Sequence, residues 1–89
     1  MQTPLIHHTS SRFWECYDRL PPEIRSLADE NFILLKGNPR HPSLHLKQVG
    51  RFWSVRVGLR YRALGVSVAD GIIWFWIGNH RDYDRMIVC

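Results

Sequence analysis

The stretch Ile72-Ile73-Trp74-Phe75-Trp76-Ile77-Gly78-Asn79-His80-Arg81-Asp82-Tyr83-Asp84-Arg85-Met86-Ile87 decides how the rest of the chain is read. It opens with six apolar residues in a row. A short run of that kind, rich in β-branched and aromatic side chains, is expected to be a strand covered on both faces inside a sheet. At Gly78 the character changes. The seven positions from Asn79 to Arg85 carry amide, imidazole, guanidinium, carboxylate and phenol groups. A rigid strand that ends in such a cluster holds reactive groups in fixed geometry. A solvated C-terminal turn is the plain alternative.

Working outward, the segment before this run alternates rather than repeating at helical spacing. Leu44 to Val49 reads as one strand, Gly50-Arg51 as a tight turn, and Phe52 to Val57 as the next strand. Trp53, Val55 and Val57 lie on one face of it, Phe52, Ser54 and Arg56 on the other. Gly58-Leu59 turns into Arg60 to Val68, and Asp70-Gly71 is a strong hairpin signal. Four strands joined this way form an antiparallel meander.

The first half has helical spacing. Leu5-Ile6 suggests a brief edge strand. Thr9, Ser10 and Ser11 offer caps for a helix reaching about Leu20, with Phe13, Tyr17 and Leu20 on one face. Pro21-Pro22 breaks the chain and starts a second helix. Its stripe is Ile24, Leu27, Ala28, Leu34 and Leu35, and Gly37 followed by Pro39 stops it. The two helices must cover one face of the sheet, because a single layer cannot bury its own apolar side. The expected fold is α+β: N-terminal strand, helical hairpin, four-stranded antiparallel meander, short C-terminal helix, in one domain over 1–89.

With 89 residues and 45% hydrophobic composition, one modest core is expected. No apolar run approaches the roughly 20 residues that span a bilayer, and the N-terminus lacks the pattern of a signal peptide. Cys16 and Cys89 have no motif spacing and suggest reduced thiols, so a cytoplasmic protein with no membrane partner is expected. The net charge of +4 is uneven. Up to Pro39 there are four Lys/Arg against five acids; from Arg40 onward there are eight against three. Ten of the twelve basic residues are arginine, whose fork grips phosphate or carboxylate with two parallel hydrogen bonds. The basic half therefore implies a polyanionic or strongly acidic partner.

Arg56 alternates opposite to the apolar set of its strand, and Arg60 and Arg62 share parity on the next one. Opposed residues in such a pair sit about 5 Å apart. Guanidiniums gathered on an open face repel one another unless an anion lies between them, which suits a phosphodiester. His80 is the candidate acid–base group, since imidazole titrates near neutrality. Tyr83 is three residues on and shares a helical face with it. Asp82 and Asp84 are placed to orient His80 or an arginine, or to cap the helix. His7, His8, His41 and His45 lack metal-ligand spacing, so neither a metal nor a cofactor is expected.

The pattern Gly50-x-Phe52-Trp53-Ser54-Val55-Arg56-Val57, then Tyr61-Arg62-Ala63-Leu64-Gly65, then Trp76-Ile77-Gly78-Asn79-His80-Arg81-Asp82-Tyr83-Asp84-Arg85 resembles the RelE/ParE toxin superfamily of bacterial toxin–antitoxin systems. The resemblance runs from Ile6 to Ile87. It implies a small basic toxin held by a cognate antitoxin, possible as a hetero-oligomer. RelE-like members cleave messenger RNA in the ribosomal A site without a metal, through attack of the ribose 2′-hydroxyl on the adjacent phosphate. ParE-like members poison DNA gyrase. Carried over by position, Arg56 and Arg62 match phosphate-binding residues, His80 an acid–base residue, and Tyr83 a C-terminal tyrosine. These four form the expected catalytic set, and Lys47, Arg60, Arg81 and Arg85 the expected RNA-binding set. Ser54 stands where some RelE-like enzymes carry lysine, which leaves His80 and Lys47 as alternatives for the general base.

Overall fold

The computed structural model describes residues 6–88, so Leu5 of the expected N-terminal strand lies outside the described residues. In chain order the elements are β1 (Ile6–Thr9), α1 (Ser11–Asp18), α2 (Pro22–Gly37), a 3-10 turn (Pro42–Leu44), β2 (Lys47–Val49), β3 (Phe52–Val57), β4 (Tyr61–Val68), β5 (Gly71–Asn79) and α3 (His80–Val88). The five strands form one sheet in the order β1-β5-β4-β3-β2. The meander β2 to β5 is antiparallel throughout, and β1 adds to β5 in parallel. This is the expected α+β architecture.

The caps follow the residues. Ser10 Oγ accepts the Phe13 N–H at the start of α1, and Pro22 opens α2 where its missing N–H costs nothing. Both helices lie on one face of the sheet. There Leu20, Ala28 and Leu35 pack against Val55, Val57, Ala63, Ile72, Trp74 and Ile77. Burying such side chains contributes about 1.5–3 kcal/mol each.

Two expectations at the element level need correction. The strand read over Leu44 to Val49 begins only at Lys47. Pro42–Leu44 is a 3-10 turn, and His45 takes a left-handed conformation (φ 46°) after it. Proline favours such a turn, and Leu44 is needed at full burial in the core, not on the pleat. The second difference lies in the central run. Leu64 pairs with Trp76 and Gly65 with Trp74, so Phe75 is an extra residue in β5. This bulge shifts the alternation by one. Ile72, Trp74 and Ile77 face the helices, while Trp76 turns to the other side and joins Leu64 and Tyr83 in a second cluster.

β1 is tied to β5 by more than backbone pairing. Trp74 Nε1–H donates to His7 Nδ1 at 3.1 Å, and the two rings stack with centroids 6.2 Å apart. Burial, then the charges of Lys36 and His8, push the His7 imidazole below its ordinary 6.5. The unfolded chain therefore binds a proton that the folded one resists, so this contribution is present above 6.5 and is lost as pH falls through the lower folded value. Thermal unfolding at about pH 5 should accordingly occur at lower temperature than at about pH 7.5. A His7→Phe protein should show a smaller difference; an equal difference in both would assign the acid sensitivity to other groups.

Candidate active site

The sheet face away from α1 and α2 carries the basic residues in rows. The β3–β4 register sets Arg56 directly opposite Arg62, and the β4–β5 register sets Arg62 opposite Gly78. One pair along, Lys47 lies opposite Ser54, Ser54 opposite Leu64, and Leu64 opposite Trp76. Arg56, Arg62 and Lys47 thus share a face, as the alternation predicts. Gly78 completes the arginine row without a side chain. A Cβ there would come within 2.5 Å of the Trp76 ring, so close packing of that indole excludes anything larger.

Among the described residues neither Arg56 nor Arg62 forms an ion pair. Arg56 Nε is buried and has no hydrogen-bond partner. Arg62 donates to the Tyr61 carbonyl at 3.0 Å, and its guanidinium carbon lies 5.9 Å from the centre of the Tyr83 ring. Burial, then Arg56, lower the Arg62 pKa from its usual high value; Tyr83 and Asp84 act in the opposite direction. Two half-buried cations face each other here with no anion between them. A buried donor left unpaired costs about 1–3 kcal/mol, so the arrangement does not serve stability.

The face is less open than the sequence suggests. Helix α3 folds back over β4 and β5, and Tyr83 is only 5% exposed, packed with Leu64 and Trp76. Asn79 caps this helix, its Oδ1 accepting the Asp82 N–H at 2.8 Å. From the sequence Asp82 and Asp84 are the suggested caps and Asn79 is missed, although its place just before the helix was the available signal. Arg60 sits in the turn before β4 and not on the strand, and its carbonyl accepts the His80 N–H at 2.6 Å. The His80 backbone is therefore anchored to the β3–β4 turn. The His80 ring lies 5.9 Å from the Tyr83 ring, and Nδ1 is 3.2 Å from Asp84 Oδ2.

His80, Tyr83, Arg62 and Arg56 thus form a continuous series, each beside the next. Of the other expected contact residues, Arg60 and Arg81 line a shallow depression with Asn79, His80 and Asp84. Arg85 lies farther along α3, where it also pairs with Asp82 at 3.9 Å. Lys47 is exposed near the outer strand of the sheet. Ser54 was not singled out as buried, yet it is 1% exposed between Lys47 and Leu64. Among the described residues no three His, Cys, Asp or Glu side chains gather as metal ligands, and no helix is long and apolar enough to cross a membrane.

Neither the models of known protein families nor the curated proteins include a match to this sequence. Solved structures do match in fold. The RelB–RelE antitoxin–toxin complex from Methanococcus jannaschii aligns with TM-score 0.69 at 18% identity, over 88% of this chain and 96% of that one. The RelBE2 toxin–antitoxin complex from Mycobacterium tuberculosis aligns with TM-score 0.65 at 18% identity, over 88% of this chain and 100% of that one. The E. coli DinJ–YafQ toxin–antitoxin complex gives 0.66 at 11%, over 90% and 97%. Strand order, helical pair and C-terminal helix coincide over nearly the full length of each: this chain has the fold of the RelE-type toxins.

Proposed function

We propose that the protein is the toxin of a toxin–antitoxin pair and a metal-independent, ribosome-dependent endoribonuclease that cuts messenger RNA in the A site. The observation that carries this reading is the Arg56–Arg62 pair, opposed across two strands, without a carboxylate partner among the described residues and with a buried donor unused. A phosphodiester supplies the missing oxygens. In the proposed reaction the 2′-hydroxyl attacks the adjacent phosphorus, the bond to the 5′-oxygen breaks, and a 2′,3′-cyclic phosphate and a 5′-hydroxyl remain. The two guanidiniums stabilise the charge that grows on the non-bridging oxygens. His80 accepts the 2′-hydroxyl proton or supplies one to the 5′-oxygen. Tyr83 sets the height of Arg62 through its ring, and Lys47, Arg60, Arg81 and Arg85 hold flanking phosphates.

The fold shared with toxins seen in complex with their antitoxins supports an antitoxin partner as well. The excess of basic residues after Pro39 fits an acidic segment on this face in the resting state.

Incubation with programmed ribosomes and end-mapping of the message tests the reading. Cuts with cyclic or 3′-phosphate ends, seen only with ribosomes, are expected. Intact message together with inhibited DNA supercoiling would favour a gyrase poison. Arg62→Ala should slow cleavage roughly 10²–10³-fold, the usual loss for one preorganised donor. Arg56→Met should lose activity while unfolding at or above the wild-type temperature, since it removes an unpaired buried donor and a like-charge neighbour. An Arg56→Met protein that melts far below wild type would make this residue structural.

A further inference from the structure

Resting on the reading just proposed, we infer that Asp84 is a positioning residue that selects the proton-carrying nitrogen of His80 by accepting its Nδ1–H. The contact is His80 Nδ1 to Asp84 Oδ2 at 3.2 Å, one helical turn apart. An exposed pair at this spacing is often no more than a helix-surface ornament of small effect. Three features of its surroundings argue for more.

Asp84 is the fifth residue of α3, beyond the first turn in which the helix dipole favours a carboxylate. Asp82 already occupies that favoured place and is engaged with the Asn79 cap and Arg85. His80 is the first residue of α3 and Asp84 lies one turn on, so the helix itself holds the carboxylate beside the ring. Asp84 also bears electrostatically on the Arg62 guanidinium, so one carboxylate is coupled to both groups that the reaction needs together.

A carboxylate takes only the protonated nitrogen of a neutral imidazole, which leaves Nε2 as the site for the proton in transit. With His80 as base, the 2′-hydroxyl proton passes to Nε2; with His80 as acid, Nε2–H passes to the leaving 5′-oxygen. In both cases Nδ1–H remains on the ring and Asp84 stays ionised. Neutral histidine in water prefers the opposite tautomer, so without Asp84 most molecules would present a proton where the base role needs the lone pair.

The test combines ¹⁵N NMR of the His80 ring in the free protein, above the ordinary histidine titration range, with single-turnover cleavage of ribosome-bound message. Wild type should show the Nδ1–H tautomer. Asp84→Ala should shift toward Nε2–H and lose roughly tenfold in rate at unchanged half-saturation. Asp84→Asn keeps an acceptor oxygen and should recover most of both; Glu30→Ala removes one acidic charge from an exposed place on α2 and should change neither. Asp84→Ala with the wild-type tautomer, or with the wild-type rate, overturns the inference. Message left intact by the wild type sinks the proposed reaction and this inference together. Message cut equally well by wild type and Asp84→Ala sinks this inference alone.

Discussion

Replacing His80 by alanine is expected to slow cleavage of ribosome-bound message roughly 10²–10⁴-fold, the scale for removing a positioned proton-transfer group. The side chain is 49% exposed, so little packing is lost and the variant should melt close to wild type. The backbone stays anchored, because the N–H bonded to the Arg60 carbonyl belongs to whichever residue stands there. In-line attack needs one group to take the 2′-hydroxyl proton and another to protonate the 5′-oxygen. Around the arginine row the titratable candidates are His80, Lys47 and Tyr83. Lys47 lies at the far end of its row, across β3 and β4 from β5. Tyr83 is buried beneath the site and faces Arg62 with its ring. His80 alone among them is an imidazole in an exposed place. Tyr83→Phe should cost less than His80→Ala if its ring supports Arg62, and as much if its hydroxyl carries the proton. A His80→Ala protein that cuts as fast as wild type would move the proton to Tyr83, Lys47 or the ribosome.

How far this site could be read from the sequence depended on whether one strand's pattern was enough. The alternation of Phe52 to Val57 fixes the direction of Arg56 without knowledge of any partner, and the tight turn at Gly58-Leu59 sets Arg62 against it. Both therefore emerge in the expected places. The Phe75 bulge did not show, because in an unbroken apolar run every residue looks equally buried and the parity change leaves no polar mark. Its consequence was missed with it: Trp76 crosses to the arginine face and gives α3 an apolar seat. Tyr83 then becomes a buried support, where the sequence suggested a residue beside an open face. Arg60 shows the opposite failure. Strand parity was extended past the point where the turn still governs the backbone, and only its carbonyl, not its alternation, ties it to His80.

Trp74→Ala should destabilise the protein by about 3–5 kcal/mol, the range for deleting a large buried aromatic side chain. Trp74 is 2% exposed and lies among Val55, Ala63 and Ile77 under the two helices. A small apolar pocket of about 40 Å³, partly open to solvent, already borders it beside Phe32 and Leu35, so truncation enlarges existing empty space. The change also leaves His7 Nδ1 without its donor and removes the ring stacked on it, loosening β1 from β5. Small domains have total stabilities of about 5–15 kcal/mol, so the loss is a large share of the total. Denaturant titration of Trp74→Ala and Trp74→Phe checks this. The phenylalanine variant keeps a ring but not the N–H and should lie between. Trp74 faces the helices, whereas the arginines lie on the opposite side of the same sheet. Cleavage measured where Trp74→Ala is still fully folded should therefore proceed at the wild-type rate per folded molecule, unlike His80→Ala, which is folded and slow. A rate loss in fully folded Trp74→Ala would mean that packing beneath the sheet also sets the spacing of Arg56 and Arg62 above it.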